Sequence, residues 1–326
     1  MIDTKHIFTI NSKADFNALA IQVFKHQYKT NLVYQEFCNH LGKDVSNVSQ
    51  IQEIPFIPID FFKSKTILSG KEKAGTIFTS SGTTGSITSK HYVTDTKLYE
   101  ESYLKAFKHF YGSITEYCVL ALLPSYLERK GSSLIYMVDD LIKKSEHPKS
   151  GFFLNNTDTL LETLKTLQDS NTKILLIGVS FALLDLVEAN QLHLKNTIVM
   201  ETGGMKGRRK EMIREELHET LKKGFGVSKI HSEYGMTELL SQGYSNGNGI
   251  FNCPPWMKVL TRDTEDPLTL QGYGKTGGVN VIDLANINSC SFIATQDLGK
   301  VYENDTFEIL GRFDHSDIRG CNLLVL

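Results

Sequence analysis

The residues from Phe78 to Ser86, Phe-Thr-Ser-Ser-Gly-Thr-Thr-Gly-Ser, are dense in Gly, Ser and Thr and follow a strand-like run. Gly82 and Gly85 let the backbone approach a ligand closely. The exposed N–H groups of such a turn form an anion nest, and the hydroxyls of Ser80, Ser81, Thr83 and Thr84 add neutral donors. Together they can hold phosphate oxygens without a fixed cation. A plain polar turn has the same composition. A Walker A loop is excluded, because that motif needs G-x-x-x-x-G-K-[ST] and Lys90 lies too far on. Gly274-Lys275-Thr276 does not rescue it: position 269 is Thr, so the leading glycine is missing, and 272–278 reads as a turn.

Three further stretches carry usable chemistry. Ser232-Glu233-Tyr234-Gly235-Met236-Thr237-Glu238 offers a ring that can stack on a base and a carboxylate that can bind Mg²⁺ beside phosphates. Thr295-Gln296-Asp297-Leu298-Gly299 offers a carboxylate suited to the two hydroxyls of a ribose. Gly311-Arg312-Phe313-Asp314 offers a planar guanidinium for phosphate or ribose oxygens. Taken singly, these are also a buried tyrosine, a turn aspartate and a surface arginine.

Elements must position these groups. Phe16, Leu19, Ala20, Val23 and Phe24 share one helical face, and a second helix from Val33 stops at Gly42. The prolines of Ile54-Pro55-Phe56-Ile57-Pro58-Ile59 force extended geometry, which predicts a connector packed on the core. Strand-like runs at 76–80, 117–123, 151–154, 173–179, 197–201 and 228–231 alternate with helical patterns at 96–111, 132–144, 157–169, 180–190 and 207–223. That alternation predicts an α/β fold with a mostly parallel sheet flanked by helices. Short strands near 279–284, 291–295, 299–303 and 307–310 predict a smaller β-rich subdomain. We therefore expect a helical start and nucleotide-binding region over 1–240 and a closing subdomain over 241–326.

Composition bounds the partners. Of 326 residues, 35 are basic and 37 acidic, for a net charge of −2, so no electrostatic footprint for nucleic acid is present. The apolar runs Cys118–Leu123 and Ile174–Ile177 fall far short of a membrane span. The residues from Met1 show no basic segment followed by an apolar stretch, so no signal peptide is expected. Five cysteines without C-x-x-C spacing favour a reducing, cytoplasmic setting over a zinc or disulfide framework.

In this order, the four stretches resemble the acyl-adenylate-forming superfamily of acyl-CoA synthetases, aryl-CoA ligases and adenylation domains. Ser80–Gly85 matches its S-S-G-T-T-G phosphate loop and Tyr234–Glu238 its Y-G-x-T-E motif. Thr295–Gly299 matches T-G-D-x-G with Gln296 in place of glycine, and Gly311–Asp314 matches the G-R-x-D hinge. Two departures stand out. The phosphate loop continues Ser86-Ile87-Thr88 rather than Pro-Lys, and the sequence stops shortly after Gly320, without the small C-terminal domain that carries the superfamily's adenylation lysine. In both respects the chain is similar to LuxE-type acyl-protein synthetases, the acid-activating component of bacterial fatty acid reductase complexes. Leu122–Glu128 and Glu201–Arg209 also resemble that branch.

The resemblance implies the large N-terminal domain of adenylate-forming enzymes, ATP and Mg²⁺ as cofactors, a fatty acid as substrate and a reductase as partner. Ser80, Ser81, Gly82, Thr83, Thr84 and Gly85 would hold the β- and γ-phosphates. Tyr234 with Gly235 would meet adenine, Thr237 the α-phosphate and Glu238 the metal, while Asp297 and Arg312 take the ribose. Cys321 would accept the acyl group. On physical grounds Arg319 favours its thiolate and Gly320 permits close approach; the alternative is a tail cysteine packed with Leu323, Leu324 and Val325. Lys90, Lys206, Arg208 and Arg209 are alternative sources of the adenylation cation. His231 is either an acyl-pocket residue or a core histidine. An aryl- or acyl-CoA ligase and a non-catalytic nucleotide-binding scaffold remain alternatives.

Overall fold

A computed structural model describes residues 2–81, 87–123, 131–153, 156–204, 209 and 212–312. The N-terminal helices are α1 (Lys13–Thr30) and α2 (Leu32–His40). Ser12 caps α1 by accepting from Asp15 N at 3.1 Å, and Phe16, Leu19, Ala20, Val23 and Phe24 form its buried stripe as the spacing predicts. Gly42, at φ +64°, takes the left-handed turn beyond α2. Then follow β1 (Ile57–Pro58), α3 (Phe61–Ser64), β2 (Thr76–Thr79), β3 (Lys90–Val93) and α4 (Thr96–Tyr111). Strands and helices next alternate: β4 (Tyr117–Leu122), α5 (Ser133–Ser145), β5 (Gly151–Phe152), α6 (Thr157–Gln168), β6 (Lys173–Val179), α7 (Ser180–Ala189), β7 (Thr197–Thr202), α8 (Arg214–Phe225) and β8 (His231–Tyr234). The remaining strands are β9 (Gly243–Ser245), β10 (Phe251–Asn252), β11 (Met257–Arg262), β12 (Thr276–Asp283), β13 (Phe292–Val301) and β14 (Phe307–Arg312).

One mixed sheet runs β11-β12-β13-β14-β10-β9-β8-β7-β6-β4-β5, with β1 added to β13. From β5 to β8 every pairing is parallel, and from β8 to β11 every pairing is antiparallel. Every residue of β4 and Ile174–Val179 of β6 are buried, as strands covered on both faces require. The expected α/β architecture with a large sheet flanked by helices is thus observed. No helix among the described residues is long and apolar enough to cross a membrane.

Several details differ from the sequence reading. β2 does not join the parallel sheet; it pairs antiparallel with β3 as a separate hairpin. The connection between them is shorter than the roughly dozen residues a parallel crossover needs. The connector at 54–59 contributes β1, which pairs parallel with β13 at Ile57–Ile293 and Pro58–Ala294. The strand expected at 228–231 lies at 231–234, where the buried Glu233 carboxylate meets Thr202 on β7 and the Ser232 hydroxyl meets His218 on α8.

Gly277 and Gly278 lie in β12 and not in a turn. Their reason is Arg262, a buried guanidinium laid across the sheet. It donates to Val279 O at 2.7 Å, Asn280 Oδ1 at 2.8 Å and Thr295 O at 2.6 Å. A Cβ on Gly278 would sit 2.6 Å from Arg262 Cζ. The guanidinium, fixed by three acceptors, cannot step aside without losing them. Gly278→Val should therefore lower stability by about 2 kcal/mol or more, read as a fall in the urea midpoint at unchanged slope. An unchanged midpoint would show that Arg262 is not fixed in this way.

Candidate active site

Tyr234 ends β8, at the carboxyl edge of the parallel strands where open α/β sheets bind ligands. Its hydroxyl donates to Asp297 Oδ2 at 2.8 Å, and its ring stands edge-on to Phe307 and Phe251, with centroids 5.6 and 6.1 Å away. Asp297 of β13 lies in register with Arg312 of β14, whose Nε is 3.7 Å from Asp297 Oδ1. Burial pushes the Asp297 carboxyl up, while the Tyr234 hydroxyl and the charges of Arg312 and Arg262 pull it back. Arg312 itself is mostly exposed, leaving its other nitrogens accessible. Gly235 is required next to Tyr234, because the Glu233 side chain, held by Thr202 Oγ1 at 2.5 Å, passes 2.3 Å from where a Cβ would be.

The turn after Tyr234 carries Thr237 and Glu238 and is braced from beneath. His91 of β3 faces Thr237 O through Nδ1 at 2.8 Å and Asn286 Oδ1 through Nε2 at 2.9 Å. Asn286 Nδ2 in turn donates to Glu238 O at 2.7 Å. Burial pushes the His91 imidazole down to about 4, so the neutral ring has one N–H to share between two oxygens. Glu238 is buried, and that burial raises its carboxyl; the Ser89 hydroxyl and the charges of Arg312 and Lys63 work against the rise. A single carboxylate is the protein contribution Mg²⁺ takes when phosphates and water complete its shell. Among the described residues no three His, Cys, Asp or Glu side chains cluster to hold a metal alone.

Ser89 also closes the neck of the Ser/Thr/Gly loop. Ser80 Oγ accepts from Ser89 N at 2.9 Å, and Ser80 N donates to Ser89 O at 3.1 Å. Ser80 therefore shapes the loop, while Ser81 is exposed at its start. Gly82, Thr83, Thr84 and Gly85 lie outside the described residues, as do Lys206, Arg208, Asp314 and the tail carrying Arg319, Gly320 and Cys321.

The structure brings Ser80, Tyr234, Glu238, Asp297 and Arg312 into one connected neighbourhood. Other expectations fare differently. Arg209 is engaged by α7, donating to Glu188 at 2.6 and 2.7 Å and pairing with Asp185. His231 sits at the amino end of β8, away from the motif, with Nδ1 3.3 Å from the Tyr111 hydroxyl. The four described cysteines are free, and burial pushes the thiols of Cys38 and Cys253 up to about 12, which disfavours the nucleophilic thiolate there. The sequence reading missed His91, Asn286, Asp60 and Lys63. Only Gln296, the departure from the glycine of its motif, pointed toward one of them: its Nε2 donates to Asp60 Oδ2 at 2.8 Å.

With this geometry in view, comparison with known proteins is informative. ATP-bound MatB from Rhodopseudomonas palustris is similar over 72% of this chain and 47% of its own, at 18% identity and a TM-score of 0.55. An open conformation of 2-hydroxyisobutyryl-CoA ligase in complex with 2-HIB-AMP and CoA is similar over 93% of this chain and 70% of its own, at 10% identity and a TM-score of 0.65. The same ligase in its postadenylation state gives 11% identity and a TM-score of 0.64. The chain spans about half the length of MatB. At these identities the likeness establishes the fold, that of the large N-terminal domain of adenylate-forming enzymes. Residues 9–119 match the family model of the LuxE acyl-protein synthetases. Two findings of different kinds thus support the LuxE-type reading of the motifs: the family match over the first third of the chain and the fold of the described residues. No curated protein matches the chain significantly.

Buried His91 and half-buried His231 imply acid sensitivity. An imidazole in the unfolded chain titrates near its ordinary value, whereas burial holds His91 and His231 down to about 4. Between those limits the unfolded state binds more protons. This contribution to stability is therefore present above the ordinary value and lost as pH falls toward 4. His231→Phe should remove about 2 kcal/mol of the stability lost between roughly pH 7.5 and 5, measured by urea unfolding at both pH values. An unaltered loss would show that His231 does not enter the fold neutral.

Proposed function

We propose that this chain activates a carboxylic acid with ATP and then captures the acyl group as a thioester on its own Cys321. What carries the reading is the convergence of Tyr234, Asp297, Arg312 and Glu238 beside the neck of the Ser/Thr/Gly loop. In the first step a carboxylate oxygen of the acid attacks the α-phosphorus, the bond to the bridging oxygen breaks, and pyrophosphate leaves acyl-AMP behind. Such a step is governed by positioning and charge stabilisation. Asp297 accepts from the ribose hydroxyls, with Arg312 beside it, and Tyr234 meets the base. Its hydroxyl, tied to Asp297, couples base and sugar recognition. Thr237 meets the α-phosphate, and Ser81, Thr83, Thr84 and the loop glycines hold the β- and γ-phosphates. Glu238 would hold Mg²⁺, which neutralises phosphate charge when bound.

In the second step the Cys321 thiolate attacks the acyl carbonyl carbon and AMP departs with the electron pair of the broken C–O bond. The thioester then passes to a reductase partner in a reducing cytoplasm. A fatty acid is the proposed substrate, and the LuxE-type match over residues 9–119 supports both the acid and the partner. Within this reading, residues 1–240 form the main nucleotide-binding region, 241–326 add Asp297 and Arg312 and close over the nucleotide, and Asp314 marks the hinge.

Intact-mass analysis after incubation with ATP, Mg²⁺ and a panel of carboxylic acids tests the proposal directly. The expected result is acid-dependent addition of one acyl group, mapped to Cys321 after digestion. Cys321→Ser should keep acid-dependent pyrophosphate exchange while losing that adduct; an adduct that persists removes Cys321 from the mechanism. Release of acyl-CoA in place of an adduct would make the chain a CoA ligase, and ATP binding without exchange would make it a scaffold. Glu238→Gln should lower exchange by about 10²-fold or more. Near-normal exchange would remove Glu238 from the metal site.

A further inference from the structure

The four motifs supply a single cation, Arg312, and an unforeseen one, Lys63, stands on a segment that packs between the Asp297–Arg312 pair and the turn carrying Thr237. The short strand β1 pairs with β13, and Ile59 N extends the pairing by donating to Ala294 O at 2.9 Å. This register sets Asp60 next to Gln296, two residues beyond Ala294. Asp60 accepts from Gln296 Nε2 at 2.8 Å through one oxygen and from Lys63 Nζ at 2.6 Å through the other. Gln296 Oε1 in turn lies 3.5 Å from Arg312 Nη2, and Arg312 pairs with Asp297. A continuous polar chain therefore joins Lys63 to the ribose-binding pair. On its other side, Phe62 packs edge-on against His91, the residue that faces Thr237 O. The segment carrying Lys63 is thus pinned between the two motifs.

We propose that Lys63 is a phosphate-binding residue of the nucleotide site, contacting phosphoryl oxygens of bound ATP while Asp60 and Gln296 hold it in place. The inference rests on the adenylating reading above. The neighbouring Phe62 packs on His91, whose Nδ1 lies 2.8 Å from Thr237 O, so Lys63 stands on the segment next to the turn proposed to meet the α-phosphate. The Lys63 and Asp60 side chains are each 40% exposed, so a ligand can reach them. An ammonium has three donors and can keep Asp60 while serving a phosphate. An ion pair this exposed adds little to the fold, so its removal leaves the scaffold intact. Gln296 gains a purpose: the glycine usual in its motif could not tie Asp60 to Arg312.

Calorimetric titration of the full chain with ATP, AMP and adenosine tests the assignment without measuring turnover. Lys63→Ala should weaken ATP binding by about tenfold or more, the scale of one charge-assisted hydrogen bond, and leave adenosine binding unchanged. Lys63→Arg should restore most of the loss. Gln296→Gly should weaken ATP by a smaller factor. Equal ATP affinity in Lys63→Ala and wild type overturns the proposal and leaves the adenylating function standing. Equal losses for ATP and adenosine overturn it too, since Lys63 would then support the fold only. A wild-type chain that binds no ATP defeats the adenylating reading, and this inference falls with it.

Discussion

A carboxylate withdrawn from water must be met by donors, and the described site is organised around that requirement. Asp283 is the deepest case. It accepts from Leu240 N at 2.7 Å, Ser241 N at 3.0 Å and Ser241 Oγ at 2.6 Å. Burial raises its carboxyl to about 6 in spite of these partners. Those donors belong to the turn that follows Glu238, so the aspartate fixes the path of the backbone leaving the Y-G-M-T-E segment. Ser241 is itself held by Ser102 at 3.0 Å, to which the Trp256 indole donates at 3.0 Å. If this buried acceptor were lost, the turn carrying Thr237 and Glu238 would lose its anchor on the sheet.

The N-terminal third enters the site through the same logic. Gln27 of α1 donates to Asn286 O and Ile287 O at 3.1 and 2.9 Å and accepts from Ser291 N at 3.0 Å. Asn31 donates to Ser289 O at 2.9 Å. These two amides add donors to the carbonyls of a buried turn, where Ser289 N also serves Asn286 O and Ser69 Oγ serves Ser289 O. Asn286, fixed in that turn, then reaches Glu238 O and His91. The segment matching the LuxE family thereby supplies the floor of the site as well as the neck of its loop. This accounts for polar residues inside α1, where an apolar stripe alone would have covered the sheet.

What the sequence made legible was local. The stripe of α1, the apolar strands at 117–122 and 173–179 and the four motifs are each written within a few turns or one strand of chain. The contacts that turn motifs into a site are not local. Gln27 and Asn286 are separated by 259 residues of chain and His91 and Thr237 by 146, and no periodicity announces such a pair. Ser232 and Glu233 look too polar for a central strand until Thr202 and His218 are brought beside them. Gly277 and Gly278 read as a turn because the arginine they make room for lies on another strand. Gln296 shows the converse: one residue out of keeping with its motif marked a real contact, but only the pairing of β1 with β13 revealed to what.

The way each group is held also orders the site by rigidity. Tyr234, Asp297 and Arg312 stand on three strands of one sheet, so the geometry between them is set by hydrogen-bonded register. Thr237 and Glu238 stand on a turn, but its backbone oxygens are tied by His91 and Asn286 and its exit by Asp283. The Ser/Thr/Gly loop is tied at its neck, where Ser80 and Ser89 bond each other and Ser89 meets Glu238. Groups on strands lose little freedom when a ligand arrives, whereas groups on a loop must lose more. Under the proposed function, the strand-borne residues Tyr234, Asp297 and Arg312 would meet base and sugar with their geometry already set, and the phosphates would be met from the turn carrying Thr237 and Glu238 and from Lys63 on its short helix.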